Sequence, residues 1–263
     1  AKPLKLSMLG PLVVDIDGKK NANLGLKKPL YLLALLAAKS VPVSMETVIE
    51  EMWPDTDIKS ARNNFHYTLN RLRNFLGKHD FIILKDGLCS LNLDEVWIDI
   101  RHFRELNEKA AKFIDSNQIL EAIDLLKDSF KIYRGDLLEG ESLGPLLTVE
   151  SEALMKRSYD SLVTLGRLLL QTGEYEEALN TLTKASSKSF ADENSYRLLM
   201  LAHYALCNPG QALQMYNKLE KTLASEFQAS PHRKTKELRD LIRNGLEQPV
   251  SDLVKWLSRE DSH

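Results

Sequence analysis

Leu4, Leu6 and Met8 alternate with Lys5 and Ser7, the period of a half-buried strand. Gly10-Pro11 interrupts the run, residues 12–16 resume it, and Asp17-Gly18 is a hairpin turn signal. Residues 4–26 are therefore expected to form short strands. Pro29 suits the first turn of a helix, and Leu30, Leu33, Leu36 and Ala37 give that helix a wide apolar face. Val41-Pro42-Val43 follows as extended chain. Ser44 is placed to cap a helix over Met45–Met52, which Trp53-Pro54 closes, with Trp53 as a core anchor.

The next helix carries the most information. Asp57 or Thr56 can cap it, and Gly77 stops it after Leu76. Ala61, Phe65, Leu69 (or Thr68), Leu72 and Leu76 fall on one stripe at helical spacing. The opposite arc carries Lys59, Asn63, His66, Tyr67, Asn70 and Asn74, with Arg71 at one flank and Arg62 and Arg73 at the other. Residues 59–78 contain five basic side chains and no acid. Such a face suits the major groove, because amides and guanidinium groups match base edges while Lys and Arg meet phosphates. Residues 81–84 and 88–93 then read as two strands joined across Lys85 by the tight turn Asp86-Gly87. A short helix, a turn, a longer basic helix and a hairpin form the order of a winged helix-turn-helix, with Lys85 on the wing.

From about residue 101 the pattern is helical, with segments expected at 101–114, 118–133, 146–171, 174–187, 192–206, 209–226 and 231–244. Trp97-Ile98-Asp99 still looks like strand, which puts the boundary near residues 95–104. Ala178-Leu179 returns as Ala212-Leu213, 34 residues later. Leu162, Leu165 and Gly166 supply the bulky, bulky and small positions upstream, the tetratricopeptide pattern. Such units stack into surfaces used for protein contacts. Val250, Leu253, Val254, Trp256 and Leu257 mark one more amphipathic helix in the tail. The expected fold class is thus an α+β winged helix-turn-helix domain (residues 1–100) followed by an all-α tetratricopeptide-like helical repeat domain (residues 101–246) and a tail (residues 247–263).

Composition changes little but excludes much. The chain has 263 residues, 43% of them hydrophobic and 27% charged, which is ordinary for a globular protein with a core. Its longest apolar run, residues 29–38, is too short to cross a membrane. Two cysteines, Cys89 and Cys207, are too few for a disulfide framework and fit a reducing cytosol. The net charge of −2 hides an asymmetry: residues 1–104 carry 15 basic against 12 acidic side chains, and the remainder carries 20 against 25. Phosphate-loop, dinucleotide, HExxH and GxSxG motifs are absent. His66, His79, His102, His203, His232 and His263 show no zinc-ligand spacing. No catalytic residue, metal or cofactor is expected.

Leu9-Gly10-Pro11, Met52-Trp53-Pro54-Asp55, Ala61-Arg62-Asn63 and Leu72-Arg73 occur in the first part. Asp99 with Phe103, and Tyr133-Arg134-Gly135-Asp136-Leu137-Leu138, follow in the second. In this order they resemble the bacterial transcriptional activator family of Streptomyces antibiotic regulatory proteins. Its members join an OmpR-like winged helix to a helical domain of tetratricopeptide-like repeats. One departure lies in the wing, where the family usually has Gly-Tyr-x-Leu and this chain has Gly87-Leu88-Cys89-Ser90-Leu91; a hydrophobic residue is expected to pack there. Members often add a receiver, ATPase or sensor domain, and none is expected among these residues.

The resemblance implies a cytoplasmic, nucleoid-associated bacterial activator. It implies binding to double-stranded DNA at direct repeats, a homodimer at least on DNA, and recruitment of RNA polymerase. Asn63, Tyr67, Asn70 and Arg71 are the candidates for base-edge contact. Lys59, Arg62, Arg73, Asn74 and Lys85 are the candidates for phosphate contact, with Arg73 equally placed to pair instead with an acid of its own domain. The competing reading is a protein-interaction adaptor whose winged helix no longer reads DNA. A weaker third reading is a small-molecule sensor built on the repeats.

Overall fold

The computed structural model describes residues 2–22, 25, 27–78, 80–187, 192–245 and 247–258. Asn23, Leu24 and Leu26 of the expected strand region, His79, and residues 259–263 of the tail (His263 included) lie outside these described residues. Two compact units divide the chain: one holds residues up to 117 together with 124–156, the other holds 118–123 and the residues from 157 onward.

In the first unit, β1 (Leu4–Ser7) and β2 (Val13–Ile16) pair antiparallel with Leu6 opposite Val14. β2 pairs onward with β3 (Lys19–Ala22). Asp17 and Gly18 both have positive φ, 50° and 86°, the mirror-image turn that matches strand twist. α1 (Lys28–Lys39) starts on Pro29 and is buried nearly all round, from Leu30 through Ala38, as a helix without a polar face must be. β4 (Val43–Ser44) leads into α2 (Met45–Met52), capped by Ser44, whose Oγ accepts the Thr47 amide at 3.0 Å. α3 (Ile58–Leu76), β5 (Ile82–Lys85) and β6 (Leu88–Leu91) follow. β7 (Val96–Ile98) runs parallel to β1 and completes the sheet β3-β2-β1-β7, while β4, β6 and β5 form a second sheet in that order.

The strand-like reading of Trp97-Ile98-Asp99 ends one residue early, because Asp99 opens α4 (Asp99–Asp115). Its buried carboxylate accepts the amides of Met8 at 2.6 Å, Leu9 at 2.8 Å and Ile100 at 2.8 Å. Leu9-Gly10-Pro11 also receives the Tyr133–Leu138 run. Gly10 N donates to Asp136 O at 2.9 Å, Leu138 N to Met8 O at 2.8 Å, and an Arg134 guanidinium nitrogen to Pro11 O at 3.3 Å. These two motifs therefore bind each other. Further along, Glu150 takes Lys39 at 3.0 Å and Arg104 at 2.8 Å. Glu51 accepts Leu146 N at 3.2 Å and the hydroxyl of Tyr31. One hydrophobic cluster runs from Leu4 through Phe65 and Phe103 to Leu147 and Leu154.

α5 (Ile119–Ile132) and α6 (Pro145–Thr172) each contribute to both units. The second unit adds α7 (Tyr175–Ser186), α8 (Glu193–Ala205), α9 (Pro209–Phe227), α10 (Arg233–Asn244) and α11 (Val250–Ser258). A Cβ at Gly166 of α6 would stand 2.5 Å from Leu182 Cγ of α7, so the small position predicted there is what allows the close approach. Ala178, Ala185 and Ala212 are fully buried. Asp192 caps α8 by accepting Asn194 N at 3.1 Å.

Candidate nucleic-acid interface

α3 is set by its ends and its stripe. Asp57 accepts the Ser60 amide at 3.0 Å, and hydrogen bonds from the Ser60 hydroxyl and then its amide hold the carboxyl below the usual range. Gly77 ends the helix at φ 71° and donates to Arg73 O at 3.0 Å. Ala61, Phe65, Thr68, Leu69, Leu72 and Leu76 are buried, so both alternatives at 68 and 69 face the core. With that stripe anchored on α1 and α2, the opposite arc faces outward. Lys59, Arg62, Asn63, His66, Tyr67, Asn70, Arg71 and Asn74 are all exposed, Tyr67 by 64%. The Arg71 guanidinium lies 5.8 Å from the Tyr67 ring centroid. Arg62 reaches Glu46 of α2 at 3.5 Å, with both side chains more than half exposed, an ion pair worth at most about 1 kcal/mol and readily exchanged for phosphate.

Arg73 stands apart from this arc. It is half-buried and donates to Ile82 O on β5 at 3.1 Å, with its Nε buried and unpartnered. The guanidinium thus fastens α3 to the wing, and its partner is a carbonyl, not an acid.

The wing turns at Asp86 and Gly87, φ 52° and 76°. Ile83 pairs with Ser90 and Lys85 with Leu88. Lys85 is exposed at the tip. The tip is held in turn by Met45 N, which donates to Gly87 O at 2.8 Å, and by the pairing of Ser44 with Leu88. Leu88, where the family usually has Tyr, does not pack as expected: it is 45% exposed, while Cys89 is fully buried. Burial pushes the Cys89 thiol up to about 11, which makes it an inert core residue.

Three positions of α3 escape its simple periodicity. Ile58, 74% exposed at the start of the helix, and Phe75, 38% exposed near its end, are apolar and open to solvent. Asn64 is a further exposed amide; its place in an acid-free, amide-rich helix was the available signal. Trp53 is buried under the Lys28 ammonium, 4.7 Å from its ring centroid. Among the described residues no group of three or more His, Cys, Asp and Glu side chains is arranged to hold a metal. None of the described helices is long and apolar enough to cross a membrane.

The pattern of the bacterial transcriptional activator domain matches residues 98–243, more than half of the chain. The chain belongs to this family. It is similar to regulatory protein AfsR of Streptomyces coelicolor, 25% identical over 239 residues that make up 91% of this chain and 24% of AfsR. It therefore spans about a quarter of that relative. Regulatory protein DnrI of Streptomyces peucetius is 25% identical over 270 residues, 95% of this chain and 99% of DnrI. A solved structure of Mycobacterium tuberculosis EmbR, in complex with a low-affinity phosphopeptide, superposes with a TM-score of 0.82 at 19% identity. It covers 98% of this chain and 70% of EmbR. The fold is thus that of a bacterial transcriptional activator domain protein with an N-terminal winged helix and a helical repeat region.

Proposed function

We propose that this chain is a sequence-specific DNA-binding transcriptional activator. The observation that carries the reading is the outer arc of α3: amide-rich, basic, free of acid and open to solvent, on a helix whose other face is locked in the core. In this reading Asn63, Tyr67, Asn70 and Arg71 face base edges, while Lys59, Arg62, Asn74 and Lys85 meet phosphates. Arg73 acts as a positioning residue that holds the wing. The names of the relatives support a regulatory role. The acidic helical region is assigned to RNA polymerase or another regulatory partner, and binding at direct repeats is assigned to a homodimer formed on DNA.

The test is duplex affinity as a function of salt. Each neutralised phosphate adds about −0.9 to the slope of log K against log salt, so Lys85→Ala lowers the slope by about that amount. Salt-independent binding, or none at low salt, rejects the reading and favours an adaptor.

A further inference from the structure

The composition of the exposed ridge points to the class of base pair it reads. At 3.6 residues per turn, Asn63, Tyr67, Asn70 and Asn74 fall within about 60° of one another, directly opposite the buried stripe. Three of the four are asparagines, and the fourth presents an aromatic ring. No cation lies on this central line. Lys59 and Arg71 border it, and Arg71 rests over the Tyr67 ring. Arg62 is drawn toward Glu46 and Arg73 toward the Ile82 carbonyl.

Guanine is read most often by Arg or Lys, adenine by the paired donor and acceptor of Asn or Gln, and the thymine methyl by apolar surface. We propose that the site recognised by α3 is centred on A·T pairs, with adenines facing Asn63 and Asn70 and a thymine methyl against the Tyr67 ring. Seven residues of helix rise about 10 Å, close to three base-pair steps at about 3.4 Å each. The two adenines therefore stand about three steps apart. This inference rests on the DNA-reading function proposed above.

The experiment is selection from a random duplex pool with the full chain, followed by the same selection with Asn63→Ala, Asn70→Ala and Asn63→Gln. Both asparagines are exposed, and circular dichroism establishes that each variant is folded. The expected result is an enriched motif with two A·T positions about three steps apart. Asn63→Ala flattens one and Asn70→Ala the other, each losing roughly 5- to 150-fold discrimination. Asn63→Gln, which keeps the amide, retains part of the preference. Guanine or cytosine at the positions these variants control overturns the inference and leaves DNA reading intact. So does an A·T preference that neither alanine variant changes, since it would come from duplex shape. No salt-sensitive binding by the parent chain overturns both.

Discussion

Replacing Asp99 separates two opposing effects at the junction of β1 and α4. Its carboxylate is almost wholly buried and takes three backbone amides at 2.6 to 2.8 Å. Burial raises its pKa, while the Leu9, Met8 and Ile100 amides and the charge of Arg134 lower it; burial wins, and the carboxyl is pushed up to about 6. The native state therefore favours the protonated form. Its stabilisation is complete below the unfolded value near 3.9 and is lost as pH rises through about 6. A rise of that size corresponds to about 3 kcal/mol. Asp99→Asn keeps an acceptor for the Met8 and Leu9 amides and removes the titration. Urea unfolding at intervals from pH 4 to pH 8 should show the parent losing about 2.4 kcal/mol relative to Asp99→Asn, almost all of it below pH 6.5. Asp99→Ala, which leaves all three amides without this acceptor, should cost about 3–9 kcal/mol at pH 4. Identical pH profiles for the parent and Asp99→Asn would refute the reasoning. A parent that gains stability with pH would show instead that the three amides outweigh burial.

Gly166→Ala gains about 1 kcal/mol of helix propensity but drives a methyl group into Leu182. The net outcome should be a loss of about 1–2 kcal/mol in denaturant unfolding, and a gain would show that Leu182 yields freely. Ser44→Ala removes the cap of α2 and should lower stability by about 1 kcal/mol without changing the far-ultraviolet spectrum. A fragment ending at residue 98 lacks Asp99, Leu137 and Leu147, all part of the buried interior of the first unit. It should show no cooperative thermal transition, whereas sharp melting would mean that the winged helix folds alone.

The features legible in the sequence were local ones. Ser44, Asp57 and Gly77 announce helix ends within four residues of their partners, and Asp86-Gly87 specifies its own turn. The period of α3 separates buried from open positions, and Gly166 is readable because the 34-residue repeat places it. The fastening groups were not readable in the same way. Asp99 serves amides about 90 residues away, and Glu51 and Glu150 meet α6 and α1 across similar stretches of chain. Arg73 illustrates the same limit at the interface, because its partner is a backbone carbonyl and carbonyls leave no mark on sequence. Leu88 shows that hydrophobicity does not ensure burial, since a strand of alternating faces placed Cys89 inside and turned Leu88 out.

Photo-crosslinking from position 67 tests the DNA-reading face most directly. A benzophenone side chain in place of Tyr67, 64% exposed on the outer ridge of α3, is compared with one in place of Phe227, 59% exposed at the end of α9. Irradiation with a selected duplex should attach DNA at position 67 and not at position 227. Attachment at position 227 alone, or at neither, would contradict the assignment of α3 to the major groove.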